Sequence, residues 1–166
     1  MVPAIALSIG GSDSGGGAGI QADLKTFLAL QVHGCSAITC VTAQNTCGVS
    51  RVDALPPEAL SAQIEAVLSD LPVAALKTGM LLNRSLIEAT AAALRPLSIP
   101  RLIDPVMVSR AGSVLLEPEA IEAYKQELLP LAELITPNIQ EARLLSGLPV
   151  ECAADVERAA AALLEL

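Results

Sequence analysis

The chain has 166 residues, 52% of them hydrophobic, with 18 acidic and 10 basic residues and a formal net charge of −8. That length suits one compact domain able to bury its own core, and too few residues are charged for a disordered polyelectrolyte. The net negative charge and an aromatic complement of only Phe27 and Tyr124 argue against nucleic-acid binding, which needs basic surface and stacking rings.

In chain order, Ile5–Ile9 reads as a buried strand ending in glycines, and Ala18–Leu30 as a helix with Ile20, Leu24, Phe27 and Leu28 at helical spacing. Cys35–Thr42, rich in β-branched residues, is a second strand. Gly48–Leu55 has no clear period and reads as a small flap or edge excursion. Pro56-Pro57 opens a helix whose stripe is Leu60, Ile64, Val67, Leu68 and Leu71. Val73–Thr78 is the third strand, followed by a helix capped by Asn83 with Ile87, Ala91 and Leu94 on one face. Leu102–Asp104 is the fourth strand. Pro118 opens a helix carrying Ile121, Tyr124 and Leu128. Leu134–Thr136 is the fifth strand, Asn138–Ser146 a helix closed by Gly147, and Asp155–Glu165 a last helix with Val156, Ala160 and Leu163. Strands alternating with helices imply an α/β fold, a mainly parallel sheet with helices on both faces, as a single domain over 1–166.

No signal peptide and no membrane-spanning run is read in the chain. Cys35, Cys40, Cys47 and Cys152 contain no C-x-x-C pair, so reduced, buried cysteines in a cytoplasmic protein are expected. His33 is the sole histidine and is read as structural.

Ligands of open α/β sheets bind at the carboxyl ends of the strands. Those ends here carry Gly10 to Gly19, Thr42-Ala43-Gln44-Asn45, Lys77-Thr78-Gly79-Met80, Asp104-Pro105-Val106-Met107 and Thr136 to Glu141. Polar residues at all five make a small-molecule site the default expectation. The glycine run is not a Walker A loop, because Gly16 is followed by Gly17 and not by lysine. Gly17-Ala18-Gly19-Ile20-Gln21-Ala22 fits G-x-G-x-x-A, but no acidic residue follows near Thr39 to Thr42, which weakens a dinucleotide reading. Six glycines within ten residues exceed what one turn requires and favour close approach of a ligand. Asn138 and Glu141 fit a capping box, and spacing alone favours that over a phosphate-site role. Asp104, ending a buried strand, calls for a partner such as Mg²⁺. Gln44 offers the donor and acceptor pair that a heteroaromatic ring can use. Met80 and Met107 are read as core residues or walls of an apolar pocket. Lys77 carries no catalytic assignment.

Gly11-Ser12-Asp13-Ser14-Gly15-Gly16-Gly17-Ala18-Gly19-Ile20-Gln21-Ala22-Asp23-Leu24-Lys25 resembles the opening motif of the hydroxymethylpyrimidine and phosphomethylpyrimidine kinases of thiamine biosynthesis. Thr42 to Asn45, Lys77 to Leu81, Asp104 to Met107, and Thr136-Pro137-Asn138 with Glu141 are similar to its later motifs, in order. The resemblance implies a ribokinase-like fold. It implies ATP-dependent, Mg²⁺-assisted phosphorylation of 4-amino-5-hydroxymethyl-2-methylpyrimidine and then of its monophosphate, in a cytoplasmic homodimer. By motif, Gly11, Asp23, Gln44, Met80 and Val106 are expected to line the pyrimidine pocket. Asp104, Asn138 and Glu141 are expected at the nucleotide phosphates, with Asp104 and Glu141 organising the metal, the latter through water. Family members continue beyond this chain's last residue into a glycine-rich catalytic loop. The catalytic residue is therefore expected beyond Leu166, Cys152 is not a candidate, and negligible turnover is expected of these 166 residues alone. A pyridoxal-type vitamin kinase and a non-catalytic pyrimidine-binding fragment are the competing readings.

Overall fold

The computed structural model describes residues 3–107, 116 and 118–166. Strands β1 (Ile5–Asp13), β2 (His33–Gln44), β3 (Val49–Ala54), β4 (Val73–Thr78), β5 (Arg101–Ile103) and β6 (Leu134–Ile135) form one sheet in the order β3-β2-β1-β4-β5-β6. All neighbours are parallel except β3, which pairs antiparallel with β2. The helices are α1 (Gly19–Ala29), α2 (Pro57–Asp70), α3 (Arg84–Leu94), α4 (Pro118–Ala123), α5 (Ile139–Ser146) and α6 (Ala153–Leu164). A π turn over Tyr124–Leu128 continues α4.

Strand parity places the core. Leu7 and Ile9 of β1 and Leu76 of β4 face a cluster with Leu60 and Ile64 of α2, Ile87 and Leu94 of α3, and Tyr124 and Leu128 of the π turn. Ser8 points to the opposite face, where its hydroxyl meets Asp23 of α1. Helices therefore cover both faces, as in ribokinase-like proteins. Burial of these aliphatic side chains supplies the main stabilising term, at roughly 25 cal/mol per Å² of apolar surface.

Several sequence expectations are corrected. The sheet has six strands rather than five. The aperiodic segment after Gly48, expected as a flap or edge excursion, does lie at the sheet edge, as a strand whose six residues are all in the exposed range and whose pairing with β2 comes from tertiary closure of a hairpin and not from burial. β1 runs on through the first glycines to Asp13, because after a register shift Ser12 and Asp13 resume pairing with Val41 and Thr42. β5 and β6 stop one residue earlier than expected, so Asp104 and Thr136 lie just beyond them. In α1 only Ile20 is buried and Leu28 is 77% exposed, because the helix packs mainly on β1 and β2 and turns its distal side outward. In α6 the buried stripe is Asp155, Ala159 and Leu163, while Val156 and Ala160 are exposed. Asp155 accepts from the Glu151 and Cys152 backbone N–H groups, which turns that face inward. Cys40 is buried and Cys35 partly so, but Cys47 and Cys152 are exposed, and all four are free thiols. Asn83 caps α3 as expected, accepting from the Leu86 N–H at 3.0 Å.

Candidate functional site

The glycine run folds around one carboxylate. Asp13, only 5% exposed, accepts from the backbone N–H groups of Gly15 (2.8 Å), Gly17 (3.0 Å) and Ala18 (2.8 Å). These are the donors that a phosphate loop would offer a ligand. Here an internal anion takes them, so the run is a pre-organised turn rather than an open phosphate cradle. Burial raises the Asp13 pKa, but the hydrogen bonds from Gly15, Ala18, Gly17 and Gly16 together outweigh that and hold it below the ordinary carboxylate value. Gln21 ties α1 to the same turn, accepting from the Asp13 N–H at 2.8 Å and donating to Ser12 Oγ at 2.7 Å. Lys25 Nζ donates to the Gly16 carbonyl at 2.6 Å. Ser14 Oγ bridges across to β2, donating to the Gln44 carbonyl and accepting from the Gln44 N–H.

Two of the residues expected around a pyrimidine meet directly. A Cβ on Gly11 would lie 2.8 Å from Met80 Cε and 2.9 Å from Cys40 Sγ, so the bare backbone of Gly11 is what admits the Met80 side chain. The Gly79-Met80 turn is held from three directions. The Gly79 N–H donates to the Ile9 carbonyl at 2.8 Å, Thr39 Oγ1 donates to the Met80 carbonyl at 2.7 Å, and the buried Tyr124 hydroxyl donates to the Gly79 carbonyl at 3.3 Å. Gln44 ends β2 beside the glycine turn, its Oε1 accepting from Thr42 Oγ1 at 3.3 Å. Val106 donates its N–H to the Asp104 carbonyl at 2.9 Å.

The charged residues form a second group. Asp23 accepts from Ser8 Oγ at 2.7 Å and from Lys77 Nζ at 3.1 Å on each oxygen. The same ammonium lies 3.6 Å from Asp104 Oδ2. Asp104 is anchored by its N–H to the Thr78 carbonyl at 3.2 Å, which sets its carboxylate at the carboxyl ends of β4 and β5. Glu141 is 3% exposed and accepts from the N–H groups of Asn138 (2.9 Å) and Met107 (3.2 Å), while Asn138 Oδ1 accepts from Gln140 and Glu141. The capping-box reading of this pair therefore holds. Glu141 does more than cap, because it also ties α5 to the segment after β5. The Tyr124 hydroxyl has its pKa raised first by burial and then by the charges of Asp104 and Glu141.

Among the described residues no three His, Cys, Asp or Glu side chains gather as a metal cage. Mg²⁺ typically takes only one or two carboxylates and completes its shell with water and phosphate oxygens. The chemistry of Asp104 with Glu141 fits that pattern. Ser8, Asp13, Thr39 and Tyr124 organise the site without a site role assigned to them from the sequence, and Lys77, which carried no catalytic assignment, joins them as a paired lysine. Ser8, a polar residue interrupting an apolar strand, was the readable signal for an inward hydrogen bond. The others declare themselves only when separate elements meet.

The comparisons with known proteins agree. The family model described as phosphomethylpyrimidine kinase matches residues 13–166. A hydroxymethylpyrimidine/phosphomethylpyrimidine kinase of Synechococcus elongatus is 60% identical, over 100% of this chain and 63% of that protein. A Rhizobium meliloti relative of the same description is 57% identical, over 87% of this chain and 54% of its own length. The chain thus spans less than two thirds of these relatives. The crystal structure of a phosphomethylpyrimidine kinase from Clostridium difficile superposes with a TM-score of 0.93 at 44% identity, over 98% of this chain and 71% of that one. A pyridoxal kinase from Staphylococcus aureus in complex with pyridoxal gives 0.89 at 34% identity, over 99% and 62%. With its family model matched over most of its length and these relatives alongside, the chain belongs to the phosphomethylpyrimidine kinase family.

Proposed function

We propose that this chain carries the pyrimidine-binding part of a kinase that phosphorylates 4-amino-5-hydroxymethyl-2-methylpyrimidine and then its monophosphate with ATP, in thiamine biosynthesis. The observation that carries the reading is the close approach of Met80 to Gly11 together with the Asp23–Lys77–Asp104 cluster, an apolar contact and a charged group gathered toward the carboxyl ends of β1, β4 and β5. In it, Gly11, Met80 and Val106 wall the ring. Gln44 pairs with its polar edge and Asp23 accepts a ring-borne N–H. Asn138 lies at the nucleotide phosphates. Asp104 and Glu141 would hold Mg²⁺, Glu141 through water, and the bound ion would neutralise phosphoryl charge. Relatives seen with ADP and with AMP-PCP, both pyridoxal kinases, support ATP as the donor. No helix among the described residues is long and apolar enough to cross a membrane. The homodimer and the cytoplasmic location rest on the family resemblance.

The test is calorimetric titration of the chain with the hydroxymethylpyrimidine and, separately, with pyridoxal. The pyrimidine is expected to bind more tightly, and Gln44→Ala to weaken it by about tenfold through loss of the paired hydrogen bonds. Tighter binding of pyridoxal, or no heat with the pyrimidine, would overturn the reading.

A further inference from the structure

Among the described residues, one cation stands among the carboxylates of this site. Lys77 Nζ contacts both oxygens of Asp23 at 3.1 Å and approaches Asp104 Oδ2 at 3.6 Å. The arrangement is rigid on one side, because fully buried Ser8 donates to Asp23 Oδ2 at 2.7 Å and keeps that carboxylate from swinging away. It is open on the other, with the Lys77, Asp23 and Asp104 side chains 24%, 20% and 30% exposed. Gly79 lies beside the ammonium, and a Cβ there would come within 3.5 Å of Nζ, so the turn leaves that flank of Lys77 uncovered.

The two proposed substrates differ mainly in charge at one position. The alcohol is neutral, whereas a phosphate monoester carries about two negative charges near neutral pH. With Lys77 in place the cluster of two carboxylates and one ammonium has a net charge of −1. Without it, two carboxylates face an incoming dianion, and charge repulsion at such short range in a partly desolvated site is strong. Lys77 also lies between the proposed ring contact, Asp23, and the proposed metal contact, Asp104. On the pyrimidine reading, the exocyclic CH₂–O of the substrate would pass this junction.

Resting on the pyrimidine reading above, we propose that Lys77 is a specificity-determining residue that admits the phosphorylated pyrimidine. Its ammonium offsets the Asp23 and Asp104 carboxylates and donates a charge-assisted hydrogen bond to the ester phosphate. It makes little difference to the neutral alcohol.

The experiment is calorimetric titration of wild type, Lys77→Gln and Lys77→Arg with the hydroxymethylpyrimidine and with its monophosphate, without nucleotide. Lys77→Gln is expected to weaken the monophosphate by at least about tenfold more than it weakens the alcohol, while Lys77→Arg keeps the two ligands in their wild-type ratio. The glutamine amide can still donate to Asp23, which preserves the fold, and circular dichroism checks that it does. If Lys77→Gln does not fold, Lys77→Arg decides. There, retained monophosphate binding supports the charge role, and loss of the monophosphate despite a retained cation overturns it. Equal loss of both ligands in Lys77→Gln, or loss of neither, overturns the inference while leaving the pyrimidine reading intact. Binding of neither ligand by wild type overturns both.

Discussion

Gly19 has φ +57°, and a Cβ on it would sit 2.4 Å from the Gly11 carbonyl oxygen. The atom in the way is backbone, which cannot swing aside as a side-chain end can. Gly17, two residues earlier, has nothing within 4 Å of its would-be Cβ. Gly19→Ala is therefore expected to lower unfolding free energy by about 2 kcal/mol or more, through left-handed strain plus the clash. Gly17→Ala should change it by less than about 1 kcal/mol. Urea midpoints of the two variants check the contrast, and equal effects would mean the turn relaxes freely. From the sequence the glycines look alike. Only the return of Gly11 over the start of α1 sets Gly19 apart from Gly17.

At the scale of the element, the turn between β1 and α1 is built around Asp13. Its depressed pKa has a definite consequence for stability against pH. The folded value lies below the unfolded one, so the contribution is complete above about pH 4 and is lost as pH falls through the folded value. Denaturant midpoints of wild type should fall more steeply than those of Asp13→Asn on going from about pH 5 to pH 3, with Asp13→Asn the less stable at neutral pH. Parallel curves would show that the carboxylate is not charged-state selective in the turn. An Asp before a glycine run was visible in the sequence, but its use of three loop donors was not. The glycine content invited a ligand reading because composition does not reveal which acceptor the N–H groups find. The strand β3 was equally hidden, because its six residues are all exposed and carry no burial period.

At the scale of the molecule, Tyr124 joins the hydrophobic core to the turn after β4. It lies fully buried in the π turn after α4, yet its hydroxyl reaches the Gly79 carbonyl in the turn that presents Met80 to Gly11. Tyr124→Phe keeps the packing and removes the donor. The expected cost is about 1 kcal/mol in stability, read from thermal unfolding. A several-fold weakening of pyrimidine binding should accompany it, since the Gly79-Met80 turn loses one of its three tethers. Unchanged affinity at reduced stability would confine Tyr124 to a packing role. The periodicity placed Tyr124 on the inner face of its helix correctly. The partner, 45 residues away in sequence, required the fold.

What the sequence determined by itself is local or ordered along the chain: the alternation of strands and helices, the caps at Asn83 and Asn138, and the motif succession that names the family. These depend on backbone propensity, side-chain spacing and residue identity, all of which are properties of short segments. What the tertiary structure decided is the pairing across long separations. It brought Ser8 and Lys77 from two strands, Asp23 from a helix and Asp104 from the residue after β5 into one charged cluster, gave the glycine-run donors to Asp13, and made an exposed segment into the edge strand β3. Hydrogen bonds and ion pairs act over a few ångströms in space and are indifferent to distance along the chain. Their partners exist only once the sheet has brought the strand ends together.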